Sequence, residues 1–493
     1  MNVADVRAGG TRRAAGAVVD AVVVGAGPNG LAAAICLARA GRSVTVLEGA
    51  TTVGGGLRSA ELTLPGFIHD HCSAVHPFGR ISPFFRSVEL APHGLAWATP
   101  PVAIGHPLDD GSAVVVRGDV AATADGLGER DADAYRRILG PIVQDWDRLM
   151  PDLLGPLPLP RRPRQAVRLA RFGWYAIPPA SWLVRRFAGR RARALVAGAA
   201  CHSQLALSEA VSAAAALIML ATAHVDGWPL PVGGAGRLAE ALAAEFTRLG
   251  GTIETGRPVT RFDELPEHRV ALFDVDPQQL LGIAGARLSA GYRRALRRFR
   301  PGPGTFKLDL ALDGPIPWRA SELGQAGTVH LGGTFEEIAF AEAETAAGRV
   351  PDRPFVLLAQ PSLLDRTRVP GSGETVWAYS HVPNGSTADV TEPILRQVER
   401  FAPGFRDRIL ATTVTTPADL EAYDPNFRGG DIAGGRMDLW QLFTRPSLRV
   451  LDPYTTSDPR ILICSASTPP GGGIHGMSGM LAARSAMRRL LKQ

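Results

Sequence analysis

The first clear pattern in the chain is an unbroken β-branched run, Val22–Val24, followed by GAGPNG and an Ala-rich helical stretch from Leu31 to Ala40. Apolar residues without alternation predict a parallel strand buried on both faces. Gly41 stops the helix, SVTVL at 43–47 reads as a second strand, and Glu48 ends it. A glycine-rich loop and a short hairpin-like segment follow to about residue 78. The stretch 79–223 is mixed, with a β-rich part at 101–119 and amphipathic helices after it. Spacing then predicts an amphipathic helix over 236–249, a Gly-Gly stop, a strand pair within 251–262, and a buried strand in VALFDVDP at 270–277. GTFKLDLALD at 304–313 alternates as a half-exposed strand, and 320–440 alternates short strands with turns, with helices near 335–347 and 391–402. The end, from Arg460, reads as strand, glycine loop and helix. Strands alternating with helices predict an α/β fold.

The first turn carries chemistry. Gly25, Gly27 and Gly30 match G-x-G-x-x-G directly after a strand. The first allows a tight turn, the second lets backbone approach a pyrophosphate, and the third lets the helix pack on the strand. With Ala26, Pro28 and Asn29 they form a loop whose helix N-terminus favours anions. Glu48, eighteen positions after Gly30, ends the second strand where a carboxylate accepts hydrogen bonds from a ribose diol. That suits FAD or NAD and disfavours a 2′-phosphate.

At 493 residues two or more domains are expected. No apolar run reaches the roughly 18 residues of a membrane span. Arg12-Arg13 resembles an export signal, but the following apolar stretch continues into the first strand, so residues 1–17 read as a flexible tail on a cytoplasmic protein. Four separated cysteines (Cys36, Cys72, Cys201, Cys464) provide neither a C-x-x-C dithiol nor a cysteine zinc site. The net charge of +6 is uneven: ten arginines and one acid, Asp152, fall between Pro151 and Ala200, interleaved with Trp174, Tyr175, Trp182 and Phe187. No recognition module for nucleic acid accompanies them. A basic, aromatic-bearing surface suits the edge of an anionic membrane. A solvated helical face with its aromatics turned inward is the plainer alternative.

Three separated blocks together resemble the flavoprotein superfamily of amine oxidases and carotenoid desaturases, with phytoene dehydrogenase-related oxidoreductases as the nearest branch. These are the opening motif continuing into Glu48, Ala50, Gly54 and Gly55; the P-x-G-G of Pro231, Gly233 and Gly234 running on to Val259; and PPGGGIHGMSGMLAA near the end. The resemblance covers the chain from Val18. It implies a Rossmann-like FAD domain (18–80, 225–303 and 441–493) interleaved with a substrate domain of mixed sheet and helices (81–224 and 304–440). Residue by residue, Gly54 and Gly55 would allow backbone approach beside the phosphates, and Val259 would meet adenine. Gly473, Ile474, Gly476 and Met477 would border the flavin at the last helix. Two departures stand out: Gly56 replaces a common Arg, with Arg58 a substitute for its phosphate contact, and His475 replaces a common Pro.

The resemblance further implies dehydrogenation of a lipophilic substrate, isoprenoid or polyene in character, by hydride transfer to flavin, with oxygen or a quinone as acceptor. A flavin amine oxidase, a non-redox polyene isomerase and a flavin-stabilised interaction protein are the alternatives. No second glycine motif provides an NAD(P) domain, so the flavin itself would be the redox centre. His475 is a candidate proton-exchanging group at the start of the last helix, against a purely backbone role. Lys307 is a candidate for holding water beside the flavin, against an ordinary exposed strand lysine. His69, His71 and His76 cluster in sequence, but polar lining of a cavity is expected there and no metal.

Overall fold

The computed structural model describes residues 18–156 and 160–491; the expected tail at 1–17 lies outside the described residues. Among them the strands form a five-stranded parallel sheet and a seven-stranded mixed sheet, with two small two-stranded pieces. In the first, Val19–Val24 is central between His268–Phe273 and Val44–Leu47, with Ile461–Ile463 and Thr252–Glu254 at the edges. Every pairing is parallel. The unbroken apolar run has a physical cause: Ala21 and Val23 pack into one core with Leu31 and Ile35, while Val22 and Val24 pack into another with Phe273 and Leu280.

The first helix runs Pro28–Arg39, three residues earlier than its apolar pattern. Proline at the first helical position loses no hydrogen bond, and its fixed φ suits the helix. The helix packs backbone-close on Met477–Arg489, where a Cβ on Gly479 would lie 1.9 Å from the Asn29 carbonyl oxygen. The strand pair expected in 251–262 is a single strand, Thr252–Glu254. Pro258 has no N–H to donate, and the chain from 255 to 258 is exposed.

The seven-stranded sheet runs 409–415, 304–312, 374–382, 356–359, 326–331, 102–107, 113–116. Gly304–Leu312 is not half-exposed: all nine residues are buried. Phe306, Leu308, Leu310 and Leu312 enter a second hydrophobic core. The opposite face lies under the hairpin of Ser59–Glu61 and Ile68–Asp70, where His69 Nδ1 comes 3.6 Å from Asp309. The polar positions of the alternation meet protein rather than solvent: Lys307 and Asp309 form a buried ion pair at 2.5 Å. A fully buried guanidinium ties these parts together. Arg368 donates to Asp70 at 2.6 Å, to Asp365 at 3.0 Å and to the Pro231 carbonyl at 3.0 Å, joining the hairpin to the P-x-G-G turn.

Candidate functional site

A cavity of about 670 Å³ extends from the carboxyl ends of the parallel strands to the face of the seven-stranded sheet. This is where an open α/β sheet places its ligand. At the parallel-sheet end Gly25, Gly27, Pro28, Asn29 and Glu48 line it. Gly30 and Ala26 stand behind. A Cβ on Gly30 would lie 2.0 Å from the Gly25 carbonyl oxygen, so glycine is required for the helix to meet the strand. A Cβ on Gly27 would lie 2.9 Å from Asp274 Oδ2, so the loop's inner surface is bare backbone. Each Glu48 oxygen accepts one backbone N–H, from Ala26 at 2.7 Å and from Ala50 at 2.9 Å. A carboxylate has about four acceptor sites, so it keeps capacity for ribose hydroxyls.

The neighbouring loop closes over this end. Gly55, Gly56, Arg58 and Val259 line the cavity, and Gly54, at φ +119°, supports the loop from behind through its N–H to Ala26 O at 2.9 Å. Arg58 does not offer a free guanidinium to a phosphate. It donates to the carbonyls of Thr52, Val53 and Gly55 and sits 3.6 Å from Glu48, so it holds the loop. From the last block Gly473 and Ile474 reach the wall, whereas Gly476 and Met477 do not. A Cβ on Gly476 would meet Phe84 at 2.3 Å, and the Met477 N–H is taken by His475. The loop rather than the helix N-terminus forms this part of the wall.

Both proposed catalytic side chains have structural partners. His475 is buried off the cavity wall: Nδ1 accepts from the Met477 N–H at 3.0 Å, and Nε2 pairs with the Gly471 carbonyl at 3.1 Å. The imidazole is neutral and staples its own loop, with burial holding its pKa down near 4. Its backbone N–H is also engaged, with Gly473 O. Lys307 is not an exposed strand lysine. It is 2% exposed, donates to Asp309 at 2.5 Å and is not part of the cavity lining. The three histidines diverge. His69 pairs with Thr63 at 2.8 Å, His71 stacks on Tyr423 at 4.5 Å, and His76 lines the cavity with both ring nitrogens unpartnered.

Other site residues come from elements whose function the sequence pattern did not reveal. Asp274, at the end of the strand His268–Phe273, accepts from the Gly30 N–H at 2.7 Å. Burial, with Asp424 and Glu48 nearby, pushes its carboxyl up to about 8. At neutral pH it is mainly protonated and does not repel a phosphate. Asp424, Asn426 and Phe427 arrive from the other half of the chain, and Asn426 accepts from the Asp276 N–H at 2.7 Å. The signal for Asp274 was present: FDVDP places acids where a buried strand ends at a switch point. No local signal marks the floor. There Thr328, Leu357, Ala359, Trp377 and Tyr379 come from three adjacent strands, and Met219 and Trp228 share the lining.

Comparison with known proteins agrees with this layout. Residues 23–88 match the NAD(P)-binding Rossmann-like domain family. Over 550 residues the chain is 25% identical to pyridine nucleotide-disulfide oxidoreductase domain-containing protein 2 of Mus musculus, covering 96% of this chain and 94% of that one. It is 27% identical over 423 residues to phytoene dehydrogenase of Streptomyces griseus, with 80% and 78% covered. Wild-type putrescine oxidase bound to putrescine shares the fold at a TM-score of 0.61, with 15% identity over 96% of this chain and 99% of that one.

Proposed function

We propose that the chain is a member of the superfamily of FAD-dependent amine oxidases and carotenoid desaturases, that it holds FAD along the cavity, and that it dehydrogenates a lipophilic substrate lodged against the seven-stranded sheet; the Rossmann-like match, the two relatives and the shared fold support this reading. One observation carries the reading: a single cavity joins the ribose-type carboxylate of Glu48 and the bare glycine loop to an apolar floor. When bound, FAD would supply the two-electron oxidant for the dehydrogenation, with oxygen or a quinone as final acceptor. The chain's own residues do the rest. Glu48 would accept hydrogen bonds from the ribose hydroxyls, the glycines would let backbone approach the pyrophosphate, and a protonated Asp274 would avoid an anionic clash. Met219, Leu357, Ala359 and the Trp377–Tyr379 pair, whose rings meet edge-on at 5.0 Å, exclude water from the substrate. An amine substrate is the second reading. It is disfavoured because the carboxylates lining the cavity (Glu48, Asp274, Asp276 and Asp424) gather at the dinucleotide end, leaving no counter-charge at the floor. Dithiol chemistry lacks its partner: Cys72 stands on the wall as a free cysteine, with burial pushing its thiol up to about 12.

The test is Glu48→Arg, which replaces an acceptor with a cation. The purified variant is expected to lose flavin absorbance, and full occupancy would sink the assignment. The reading extends to a membrane edge. On the helix Pro163–Ala176 and just beyond it, Val167, Trp174 and Ile177 are exposed among arginines, and Arg186 lies 4.4 Å over the Trp182 ring. No helix among the described residues is long and apolar enough to cross a membrane, so surface attachment is the form proposed. Flotation with anionic vesicles is expected to weaken with salt, at about 1 kcal/mol per engaged arginine, and to fall in Trp174→Ser. Indifference to both would count against it.

A further inference from the structure

The floor of the cavity is apolar in outline but not in detail. Thr328, Ala359 and Trp377 lie side by side on three neighbouring strands, in register. Thr328 and Trp377 both line the cavity; Thr328 Oγ1 and Trp377 Nε1 are buried beneath its surface, and neither has a hydrogen-bond partner. A buried donor left unmatched costs about 1–3 kcal/mol. Two of them on one wall, flanking a small alanine, make a place where a ligand atom is expected to supply the missing acceptor.

A third donor stands over the next row of the lattice, His330–Leu357–Tyr379. His330 is fully buried, packed against Trp228 and Phe355, and its Nε2 lies 3.1 Å from Nε2 of the cavity-lining His202. The tautomers follow from what surrounds the pair. His330 Nδ1 is buried without a partner, against the Gly198 backbone. A stranded N–H is rarer in proteins than an under-used acceptor. His330 therefore keeps Nδ1 bare and donates through Nε2 to His202. That leaves the His202 proton on Nδ1, which has no partner among the described residues and is not one of the buried unpartnered atoms, so it remains accessible from the cavity. Burial keeps both rings neutral, so neither demands an anion.

Resting on the flavoprotein reading above, we infer that the substrate is a lipophilic molecule carrying a neutral oxygen acceptor, a carbonyl or a hydroxyl, which the donors of Thr328, Trp377 and His202 receive at the floor of the cavity. A plain hydrocarbon would leave all three unmatched. An alkylammonium would bring only donors, which Trp377 and the His202 N–H cannot receive, leaving Thr328 Oγ1 and Gln204 Oε1 as its acceptors on the lining. Thr328 also accepts, so a hydroxyl is received with its own proton placed, whereas Trp377 can only donate.

The test is calorimetric titration of the purified holoprotein with four probes of one chain length: decan-2-one, decan-1-ol, decylamine and decane. The ketone and the alcohol are expected to bind at least tenfold more tightly than decane, and decylamine no better than decane. Thr328→Val keeps the shape and removes the hydroxyl; Trp377→Phe removes the indole N–H. Each is expected to weaken the ketone about five- to tenfold while leaving decane within twofold. His202→Phe serves as the third arm, with thermal unfolding confirming that each variant folds. Equal binding of decane and decan-2-one, or ketone binding unchanged in both Thr328→Val and Trp377→Phe, would overturn the inference. Decylamine binding as tight as the ketone would likewise overturn it, in favour of an amine. Flavin content is read separately by absorbance, so a protein without flavin that still prefers the ketone would overturn the cofactor reading and leave the floor's selectivity standing.

Discussion

The two ends of the cavity are built on opposite principles. At the parallel-sheet end most polar groups are satisfied within the protein: both Glu48 oxygens hold backbone N–H groups, Asp274 holds Gly30, and Arg58 holds three loop carbonyls, with buried Asn29 Oδ1 the exception. The surface offered to a ligand is mostly backbone, bare at Gly25, Gly27 and Gly55. At the far end the surface is mostly side chain, and Thr328, Trp377, Gln204 and His76 each carry a buried polar atom without a partner. A preorganised backbone cradle suits a ligand of constant shape such as a cofactor. A lattice of exchangeable side chains on a rigid sheet suits a substrate that differs between relatives. The division explains how one fold holds one cofactor and many substrates.

Substitutions that attack one end and spare the other sharpen this contrast. The largest effect is expected from Gly30→Val, whose Cβ would lie 2.0 Å from a backbone oxygen that cannot yield. Loss of flavin and of about 3 kcal/mol or more of stability is expected, read by absorbance and chemical denaturation. A stable, flavin-bound variant would break the account of the cradle. Next comes Leu357→Trp at the floor, which is expected to fill substrate space, weaken decan-2-one at least tenfold and leave flavin absorbance intact. If flavin were lost too, the two ends would not be separable. The smallest effect at neutral pH is expected from Asp274→Asn, which keeps an acceptor for the Gly30 N–H. Between the ordinary carboxylate value and about 8 the folded chain holds a proton that the unfolded chain has released. Stability drawn from this group therefore falls as pH rises through that window. The asparagine variant is expected to show a flatter decline in unfolding free energy from about pH 5 to pH 8, by about 1 kcal/mol per pH unit or less, read by chemical denaturation. An unchanged slope would mean that Asp274 is already ionised in the folded protein.

Much of the first end could be read from the chain, because strand, turn, helix and the terminal acid are contiguous and their spacing is imposed by backbone geometry. Gly25, Gly27 and Glu48 lie on the cavity surface for that reason, and Gly55 and Val259, expected from the family resemblance, lie there too. Local pattern misled where burial comes from distant chain. The alternation around Lys307 looks the same whether its polar face meets water or meets Asp309 beneath His69. His475 looks like an accessible base until its two nitrogens are seen bonded to Met477 and Gly471.

What the sequence determined alone is the class of fold and the kind of cofactor loop, since both rest on short-range periodicity and on glycines that only close backbone approach requires. The tertiary structure decided which side chains face the substrate. Thr328, Leu357, Trp377 and His202 are brought together by strand register and by a helix crossing above it. Nothing in the separation of these residues along the chain encodes that meeting, because register is set by how two sheets and their cores pack at once.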